Sequence, residues 1–415
     1  MTRRGVGTLV AVAALWLAAR TLGVEQLHTA AVALLVLLLA AAAWIMLLPL
    51  RLVVDRDIEP SVASFGGTVT VRLQVRNLGS VPSPATWLED AVPATLGQSP
   101  AFRIPVLTPH RILDLAYELE GVHRGRFVLG PLTAVIRDPF GLVQRRRQIA
   151  SLGEVTVLPP VWSLPPGVPL GGASGSVAAG PRRPTSHGDE LADIREYVRG
   201  DDLRAVHWAS TAHRGKLMVR RAEEATSPRA TVLLDIRRDR HRGTGPRSSF
   251  EIAVGTAASV AHHLAVRGRM ITLLDRPLAH APTPQPAAAW MPVLAGLEPI
   301  DVDLGGLLRQ VATGTAGEGT LVAVITPPDP EELRALVRAG RGASSRLAVV
   351  LDTASYAGVA TADPAALRAV AGLRAAGWRA TVLRREEQVS ERWTQLLGRA
   401  RSDAVVTGTG DGSAS

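Results

Sequence analysis

Polar side chains stand directly after several apolar, strand-like runs in the second half of the chain. Asp235, Asp275, Thr326 and Asp352 each follow such a run. In an open parallel sheet, the carboxyl ends of the strands border the crevice in which ligands bind. Three carboxylates there would supply the oxygen ligands that magnesium prefers, which suits a metal-assisted hydrolase at the membrane or cell envelope. The simpler interpretation, which we favour, is that each aspartate caps a helix or starts a turn.

The sequence lacks the common patterns of enzyme and metal sites. The absence of cysteine excludes disulfides, zinc ribbons, iron–sulfur clusters and thiol nucleophiles. There is no phosphate-binding glycine loop ending in lysine, no dinucleotide fingerprint, no paired-histidine zinc helix and no nucleophile elbow. His207 and His213 lack metal-ligand spacing with a third ligand. We therefore predict no catalytic residue, no cofactor and no bound metal, and favour a non-enzymatic interaction protein over the hydrolase.

The strand and helix patterns that carry these residues alternate from about residue 229 onward. Apolar runs such as Thr231 to Leu234 and Leu347 to Leu351 alternate with helical patterns such as Phe250 to Val266. Asp329 and Asp363 each precede a proline, as N-cap residues do at the start of a helix. This alternation predicts an α/β domain with an open parallel sheet.

Residues 51–160 have the texture of an antiparallel β-sandwich. Val69 to Arg76 alternates apolar with polar side chains, as a half-buried strand does, and Ile112 to Leu119 repeats the pattern. Helical periodicity is absent there. Residues 161–186 are rich in glycine, proline, serine and alanine and are predicted to be a flexible linker. Residues 187–402 then form the α/β region, and residues 403–415 a disordered tail.

The first 50 residues contain two apolar stretches that predict a transmembrane helical hairpin. Thr29 to Leu50 has no charged side chain and is long enough to cross about 30 Å of hydrocarbon. Gly5 to Ala19, continued to Val24, forms a shorter span that includes Arg20. Arginines before and after the hairpin place both flanks, and the soluble domains, in the cytoplasm of a multi-pass plasma membrane protein. The alternative for the first stretch is a cleaved signal peptide, which leaves the second as an anchor.

The formal charge of +9 does not by itself indicate nucleic acid. Of the 46 basic residues, Lys216 is the only lysine, and the arginines are scattered while aromatic residues make up 4% of the chain. Nucleic-acid binders concentrate their charge on one face. Nucleic acid is therefore not an expected partner. A receptor for anionic lipid or nucleic acid through scattered arginines is a third, weaker interpretation, whose signature is steep salt dependence.

The most distinctive residues precede the α/β region and carry a family resemblance. The segment from Asp193 to Arg220 resembles the signature of domain of unknown function family 58, whose members place this pattern before a von Willebrand A-like strand. The matching positions here are Arg195, Tyr197, Gly200, Asp201, Arg204, Trp208, Thr211, Ala212, Gly215 and Val219. His213 stands where the family more often has arginine. Arg124-Gly125 and Asp138 to Leu142 in the sandwich also resemble the family.

A von Willebrand A-like fold implies a metal-ion-dependent adhesion site, and this sequence departs from that motif. Asp235 is followed by Ile236, Arg237, Arg238 and Asp239 where the motif has serines, and Thr326 is followed by two prolines. Asp235, Asp239 and Thr326 are thus positions of a degenerate site. The missing hydroxyls remove ligands, and the arginines would repel a divalent cation or neutralise the carboxylate.

The charged residues of the signature suggest its role, and the resemblance implies a partner. We expect a structural or interaction role for the signature, with Arg199, Asp201, Asp202, Arg204 and Arg214 in one hydrogen-bonded network and Trp208 packed against it. Relatives are commonly associated with MoxR-type AAA+ ATPases. The expectation is therefore a membrane-anchored adaptor or scaffold, held in the lipid bilayer by residues 1–50, which brings such an ATPase to an unknown protein client.

Overall fold

A computed structural model describes residues 1–166, 194–197, 206, 208–220, 229–277, 283–313 and 319–397. The chain divides into two compact units. The first contains residues 1–162, 241–259 and 288–300, and the second contains residues 163–240, 260–287 and 301–415. The domain boundaries predicted from the sequence stay predictions. The tail at 403–415 and most of the linker at 161–186 lie outside the described residues.

The chain begins with two long helices, α1 (Arg3–Leu22) and α2 (Glu25–Leu47). Both are long and apolar enough to cross a membrane by length and composition. Gly23, in the left-handed conformation with a φ of 69°, ends α1 and allows the tight turn into α2. The second helix ends at Leu47, three residues before the predicted end of the span, because Leu48 precedes Pro49 and is extended.

Ten strands follow, and residues 51–160 are described throughout. They are β1 (Leu52–Glu59), β2 (Val62–Ala63), β3 (Thr68–Asn77), β4 (Thr86–Asp90), β5 (Ala101–Ile104), β6 (Ile112–Glu120), β7 (Gly125–Leu129), β8 (Leu132–Arg137), β9 (Gln144–Ile149) and β10 (Gly153–Val157). Within this range the strands form three sheets, with the orders β1-β3-β6, β2-β10-β7 and β5-β4-β8-β9. Alternating side chains of β3, such as Val71, Leu73 and Val75, lie in a core that all three sheets share.

This arrangement corrects the predicted sandwich in one respect. The strands pair antiparallel except β2 and β10, which run parallel. The sequence did not show this pair because β2 has only two residues, too few for a period of two to be visible.

The remaining elements are strands interspersed with helices. They are β11 (Ile194–Glu196), α3 (Trp208–Arg214), β12 (Met218–Arg220), β13 (Arg229–Leu234), α4 (Ser249–Val266), β14 (Met270–Leu274), α5 (Ala287–Ala295), α6 (Leu304–Thr313), β15 (Thr320–Ile325), α7 (Pro330–Ala339), β16 (Ser345–Leu351), α8 (Thr353–Tyr356), α9 (Pro364–Ala375), β17 (Arg379–Leu383) and α10 (Val389–Leu397). The sequence did not predict α5, which contains Pro292, or the four-residue α8.

The five strands from β13 to β17 form a parallel sheet in the order β14-β13-β15-β16-β17, which confirms the predicted α/β fold. The central strand β15 is buried along its whole length, as expected for a strand with both faces covered. Asp329 caps α7 in a capping box with Glu332, and Asp363 caps α9, as predicted. The sheet therefore holds its carboxyl-end residues on strands that are largely buried.

Candidate functional site

The strand order places the predicted crevice residues side by side along one edge of the sheet. Asp275 directly follows β14, Asp235 directly follows the neighbouring β13, and Thr326 directly follows β15, on the other side of β13. Asp352 follows β16, so one strand separates it from Asp235. Sequence alone could not establish these neighbours, because strand order depends on how the crossover helices pass over the sheet.

Asp235 follows the strand between those that precede Asp275 and Thr326, and it binds the guanidinium of Arg237. The Arg237 side chain donates from Nε to Oδ1 at 2.9 Å and from Nη2 to Oδ2 at 2.8 Å, a two-point ion pair. The backbone N–H of Arg237 also donates to Oδ1 at 3.1 Å. Both side chains are buried, with 1% of Asp235 and 5% of Arg237 exposed. The carboxylate is thus bound by a cation from its own loop.

Thr326 and Glu332 complete this network. The Thr326 hydroxyl donates to Asp235 Oδ2 at 2.5 Å, and its backbone N–H donates to the same oxygen at 3.2 Å. Arg237 Nη1 donates to Glu332 Oε1 at 2.5 Å. Burial opposes the charge of Arg237, but hydrogen bonding to Asp235 and the charges of Asp235 and Glu332 outweigh it and raise the pKa of the guanidinium. Arg237 therefore stays charged in this buried position.

The other two crevice carboxylates also pair with arginines. Arg276 donates to Asp275 Oδ2 from Nη2 at 2.8 Å and from Nε at 3.1 Å. Arg384 Nε, from the loop after β17, donates to Asp352 Oδ2 at 3.1 Å. Asp352 is fully buried and also accepts the backbone N–H groups of Ser355 and Asp363. The favoured interpretation of Asp352 as a helix cap is confirmed, since it is the N-cap residue of α8.

These pairs determine what the edge can do chemically. A metal ion at Asp235 would have to displace a guanidinium that makes two hydrogen bonds to the carboxylate. Asp239, the other aspartate of the degenerate adhesion site, is exposed and pairs with Arg240 at 3.3 Å. Among the described residues, no group of three or more histidine, aspartate or glutamate side chains is placed to hold a metal ion. The edge is built as a series of internal ion pairs.

The signature segment forms a small element of its own. Strands β11 and β12 pair antiparallel, and the Tyr197 N–H donates to the Leu217 carbonyl at 2.9 Å. Gly215 has a φ of 65° and its N–H donates to the Thr211 carbonyl, so it ends α3 in the conformation that favours glycine. The Thr211 hydroxyl accepts the N–H of Met218, which is buried. These bonds hold α3 against β12.

Trp208, the first residue of α3, is 72% exposed. This exposure is the opposite of the packing that we predicted for it. Arg214 is also exposed, whereas Tyr197 is half-buried. The predicted partners Arg199, Gly200, Asp201, Asp202 and Arg204 lie outside the described residues, as does the side chain of Arg195, so the predicted network stays a prediction. A large aromatic side chain in water is the feature of this segment that sequence reasoning missed.

His263 is a buried histidine whose pKa departs from its ordinary value. It lies on α4 with its ring 5.4 Å from that of Trp393, edge to face. Burial and the nearby Arg267 guanidinium lower the pKa of His263 from 6.5 to about 4. A perturbed pKa can mark a functional site. Here the neutral ring packs in a core beside Trp393, which indicates a structural role.

A family model matches the part of the chain that contains the signature. Residues 193–299 match the protein family of unknown function DUF58. The DUF58 match begins one residue before β11, which starts at Ile194, and its last residue lies beyond the end of α5, so it includes Trp208, Asp235 and Asp275. It supports the resemblance stated from the sequence over this range. No curated protein sequence matches the chain.

Solved structures share only limited similarity with this protein. A CARDB domain from Pyrococcus furiosus, solved in complex with di-metal ions, is 18% identical and covers 26% of this chain and 91% of its own, with a TM-score of 0.20. A cohesin module from a Clostridium perfringens family 33 glycoside hydrolase is 12% identical, with coverages of 26% and 98% and a TM-score of 0.20. Alkylpurine DNA glycosylase AlkC of Pseudomonas fluorescens, bound to DNA containing an abasic site analogue, is 14% identical, covers 34% and 36%, and also scores 0.20. These scores carry no inference about function.

Proposed function

We propose that this protein is a non-enzymatic, membrane-anchored adaptor that brings a MoxR-type AAA+ ATPase to a protein client on the cytoplasmic side of the membrane. In this proposal α1 and α2 are the anchor. The parallel sheet belongs to a von Willebrand A-like module in which an arginine takes the place of the metal ion. The observation that carries the proposal is the exposure of Trp208 within the family signature.

Trp208 has the properties of an anchor residue for a partner protein. Tryptophan is enriched among the few residues that carry most of the binding energy of protein interfaces. Its backbone is fixed at the start of α3, whose end is set by Gly215 and which is tied to β12 by the Thr211 to Met218 bond. Lys216 and Glu196 form an exposed ion pair at 3.0 Å in the same element, which suits a polar rim around an aromatic anchor.

The alternative, a metal-assisted hydrolase, is disfavoured by the ion pairs of the crevice. Asp235, Asp275 and Asp352 each bind a guanidinium, so the negative charge that would attract a divalent cation is already neutralised. A hydrolase would need these pairs to open before it could bind metal. The adaptor needs no such change.

The test is recovery of the ATPase with the tagged full-length protein from its native membrane in mild detergent, with ATP present or depleted. We expect Trp208→Ala to lower that recovery by about 30-fold, since loss of an aromatic anchor costs about 2 kcal/mol or more. Trp87→Ala is the matched control, because Trp87 is a partly exposed tryptophan on β4.

Two outcomes would count against the adaptor. If the Trp208→Ala and Trp87→Ala variants recover the ATPase equally well, Trp208 is not the anchor. If no ATPase is recovered and the purified protein carries a stoichiometric metal that Asp235→Ala removes, the hydrolase becomes the better proposal.

A further inference from the structure

The loop between β8 and β9 is held against the two apolar helices. The Asp138 carboxylate closes this loop by accepting the N–H groups of Phe140 at 2.8 Å and Val143 at 2.5 Å. The N–H of Thr2, which precedes α1, donates to the Leu142 carbonyl at 3.1 Å, and the Thr2 hydroxyl donates to the Gly141 carbonyl at 2.5 Å. The loop is therefore fixed to the start of α1.

Leu142 carries this contact into the apolar part of α2. It is buried and packs against Leu38 and Ala41. Leu38 lies nine residues before the end of α2 at Leu47, which corresponds to about 14 Å along the helix axis. A Cβ atom on Gly5 would lie 2.0 Å from the Leu142 carbonyl oxygen, so the close approach of the loop to α1 requires glycine at that position. If α2 crosses a bilayer, this contact places Leu142 within the depth of the hydrocarbon, while Thr2 ties the loop to the level at which α1 begins.

Phe140, at the tip of this loop, is 57% exposed. Other exposed side chains surround the connection between α2 and the sandwich. At this connection the Leu78 N–H donates to the Arg51 carbonyl at 2.9 Å. We define the helix-proximal rim as the exposed side chains of Arg4, Arg51, Leu78, Val106, Phe140 and Arg146. The rim thus combines apolar and cationic side chains at the end of the sandwich next to the apolar helices.

The charge around the rim is strongly positive. Arg3 and Arg4 begin α1, and Arg145 to Arg147 lie on β9, whereas the buried Asp138 is the acidic residue of the loop between β8 and β9. Arg147 Nη1 donates to the Leu50 carbonyl at 2.5 Å, which draws β9 to the end of α2. Arg146 points to solvent, with an ion pair to Glu89 of 3.5 Å. Guanidinium groups beside a membrane surface attract anionic headgroups.

We propose that the helix-proximal rim binds anionic phospholipid, with Phe140 inserted at the boundary between headgroups and acyl chains and the arginines bound to phosphate. The rim seats the sandwich on the bilayer at a fixed height and orientation. This inference rests on the membrane anchoring in the proposed function and is independent of the ATPase. A lipid surface suits the rim better than a protein partner, because the rim is continuous with the helices that are themselves in lipid.

The experiment uses single-cysteine variants of the full-length protein, which has no cysteine of its own. An environment-sensitive fluorophore is attached at Phe140→Cys, and the protein is placed in phosphatidylcholine nanodiscs with or without about one lipid in three as phosphatidylglycerol. We expect a blue-shifted emission, quenched by headgroup-region spin-labelled lipid, that is stronger in the anionic discs. Phe65→Cys is the control, since Phe65 precedes β3 and the ten residues of that strand separate it by about 30 Å from Leu78 of the rim.

A probe at Leu39→Cys, on the exposed side of α2, separates failure of the rim from failure of the anchor. If the Leu39 probe is in lipid and the Phe140 probe is in water in both types of disc, the rim proposal is overturned and the anchor stands. Equal emission from the Phe140 probe in both types of disc overturns the anionic preference and with it the proposal. If the Phe140 probe is shielded only in native membranes, a protein covers the rim, which also overturns it.

A separate experiment tests whether the arginines of the rim bind lipid headgroups. The protein is purified in mild detergent from vesicles of equal parts phosphatidylglycerol and phosphatidylcholine, and the retained lipids are measured by mass spectrometry. We expect Arg146→Gln and Arg4→Gln each to lower the retained ratio of anionic to neutral lipid by about fivefold. Arg72→Gln, an exposed arginine on β3 away from the rim, should leave the ratio unchanged. An equal fall in all three variants would overturn headgroup binding by the rim.

Discussion

At the scale of the residue, the crevice shows how a polar strand edge can be stabilised without a ligand. The sequence indicated that an arginine beside Asp235 would neutralise or repel, and the structure shows that Arg237 does the former. That prediction was possible because Arg237 is two residues from Asp235. Arg384 could not be assigned to Asp352, because 32 residues separate them and only strand order brings them together. Trp208 was mispredicted because its spacing does not reveal which face of α3 meets solvent.

The first prediction concerns the Arg237 guanidinium. Arg237→Ala leaves the buried Asp235 carboxylate without its cation, and breaking a buried pair in this way costs about 3–5 kcal/mol. We expect a lower urea midpoint for the full-length protein in detergent. Arg238→Ala is the matched control, because Arg238 is the exposed arginine next in sequence.

A second variant distinguishes the ion pair from mere packing of Arg237. The double variant Arg237→Met with Asp235→Asn removes both charges and keeps most of the volume, so it should recover a large part of the lost stability. If the double variant is no more stable than Arg237→Ala, or if Arg237→Ala unfolds at the urea concentration of the parent protein, the pair is not the stabilising feature of this edge.

At the scale of the element, the sequence predicted those segments whose signals are local. Asp329-Pro330 and Asp363-Pro364 begin α7 and α9 because a carboxylate and a proline suffice to start a helix. Helix α5 was missed because Pro292 inside it argues against a helix. The carbonyl groups at the C-terminal end of α5 accept hydrogen bonds from Arg124, which is distant in the sequence. Arg124 Nη1 donates to the carbonyls of Leu294, Ala295 and Leu297 at 2.8, 3.0 and 2.9 Å.

This contact gives the prediction at the element scale. Arg124 Nη2 also donates to Glu251 Oε1 at 3.0 Å, and its guanidinium lies 5.1 Å from the centre of the Phe250 ring. Arg124→Lys keeps the charge but cannot reach three carbonyls and a carboxylate at once. We expect it to lower the free energy of unfolding by about 2–3 kcal/mol, measured by urea denaturation.

Arg126 provides the control for that measurement. It is an exposed arginine on β7, the strand that Arg124 immediately precedes, and its Nη2 makes one long bond of 3.4 Å to the Pro292 carbonyl. Arg126→Lys should change the free energy of unfolding by no more than about 0.5 kcal/mol. Equal losses for Arg124→Lys and Arg126→Lys would show that Arg124 acts as a general surface charge and not as the cap of α5.

At the scale of the whole molecule, composition predicted the two apolar helices but did not indicate which partner the protein binds. The two apolar helices were predicted because a span needs a long uncharged stretch, which is visible in a single sequence. The close contact of Leu142 with Leu38 and Ala41 was not predicted, because it joins residues about a hundred positions apart. A net charge of +9 is spread over the chain, and only the structure shows which arginines gather near the helices.

The last prediction concerns the side of the membrane on which the sandwich lies. Arg3, Arg4 and Arg51 flank the hairpin, while the turn at Gly23 and Val24 carries no charge, so the positive-inside rule places the sandwich in the cytoplasm. In intact cells, a membrane-impermeant maleimide should label Val24→Cys and leave Phe65→Cys unlabelled until the membrane is opened. The parent protein has no cysteine and provides the background. Labelling of Phe65→Cys from outside would put the soluble part where ATP is absent, and a partner that consumes ATP would then have to be abandoned, whereas the anionic rim would still be testable on the opposite leaflet.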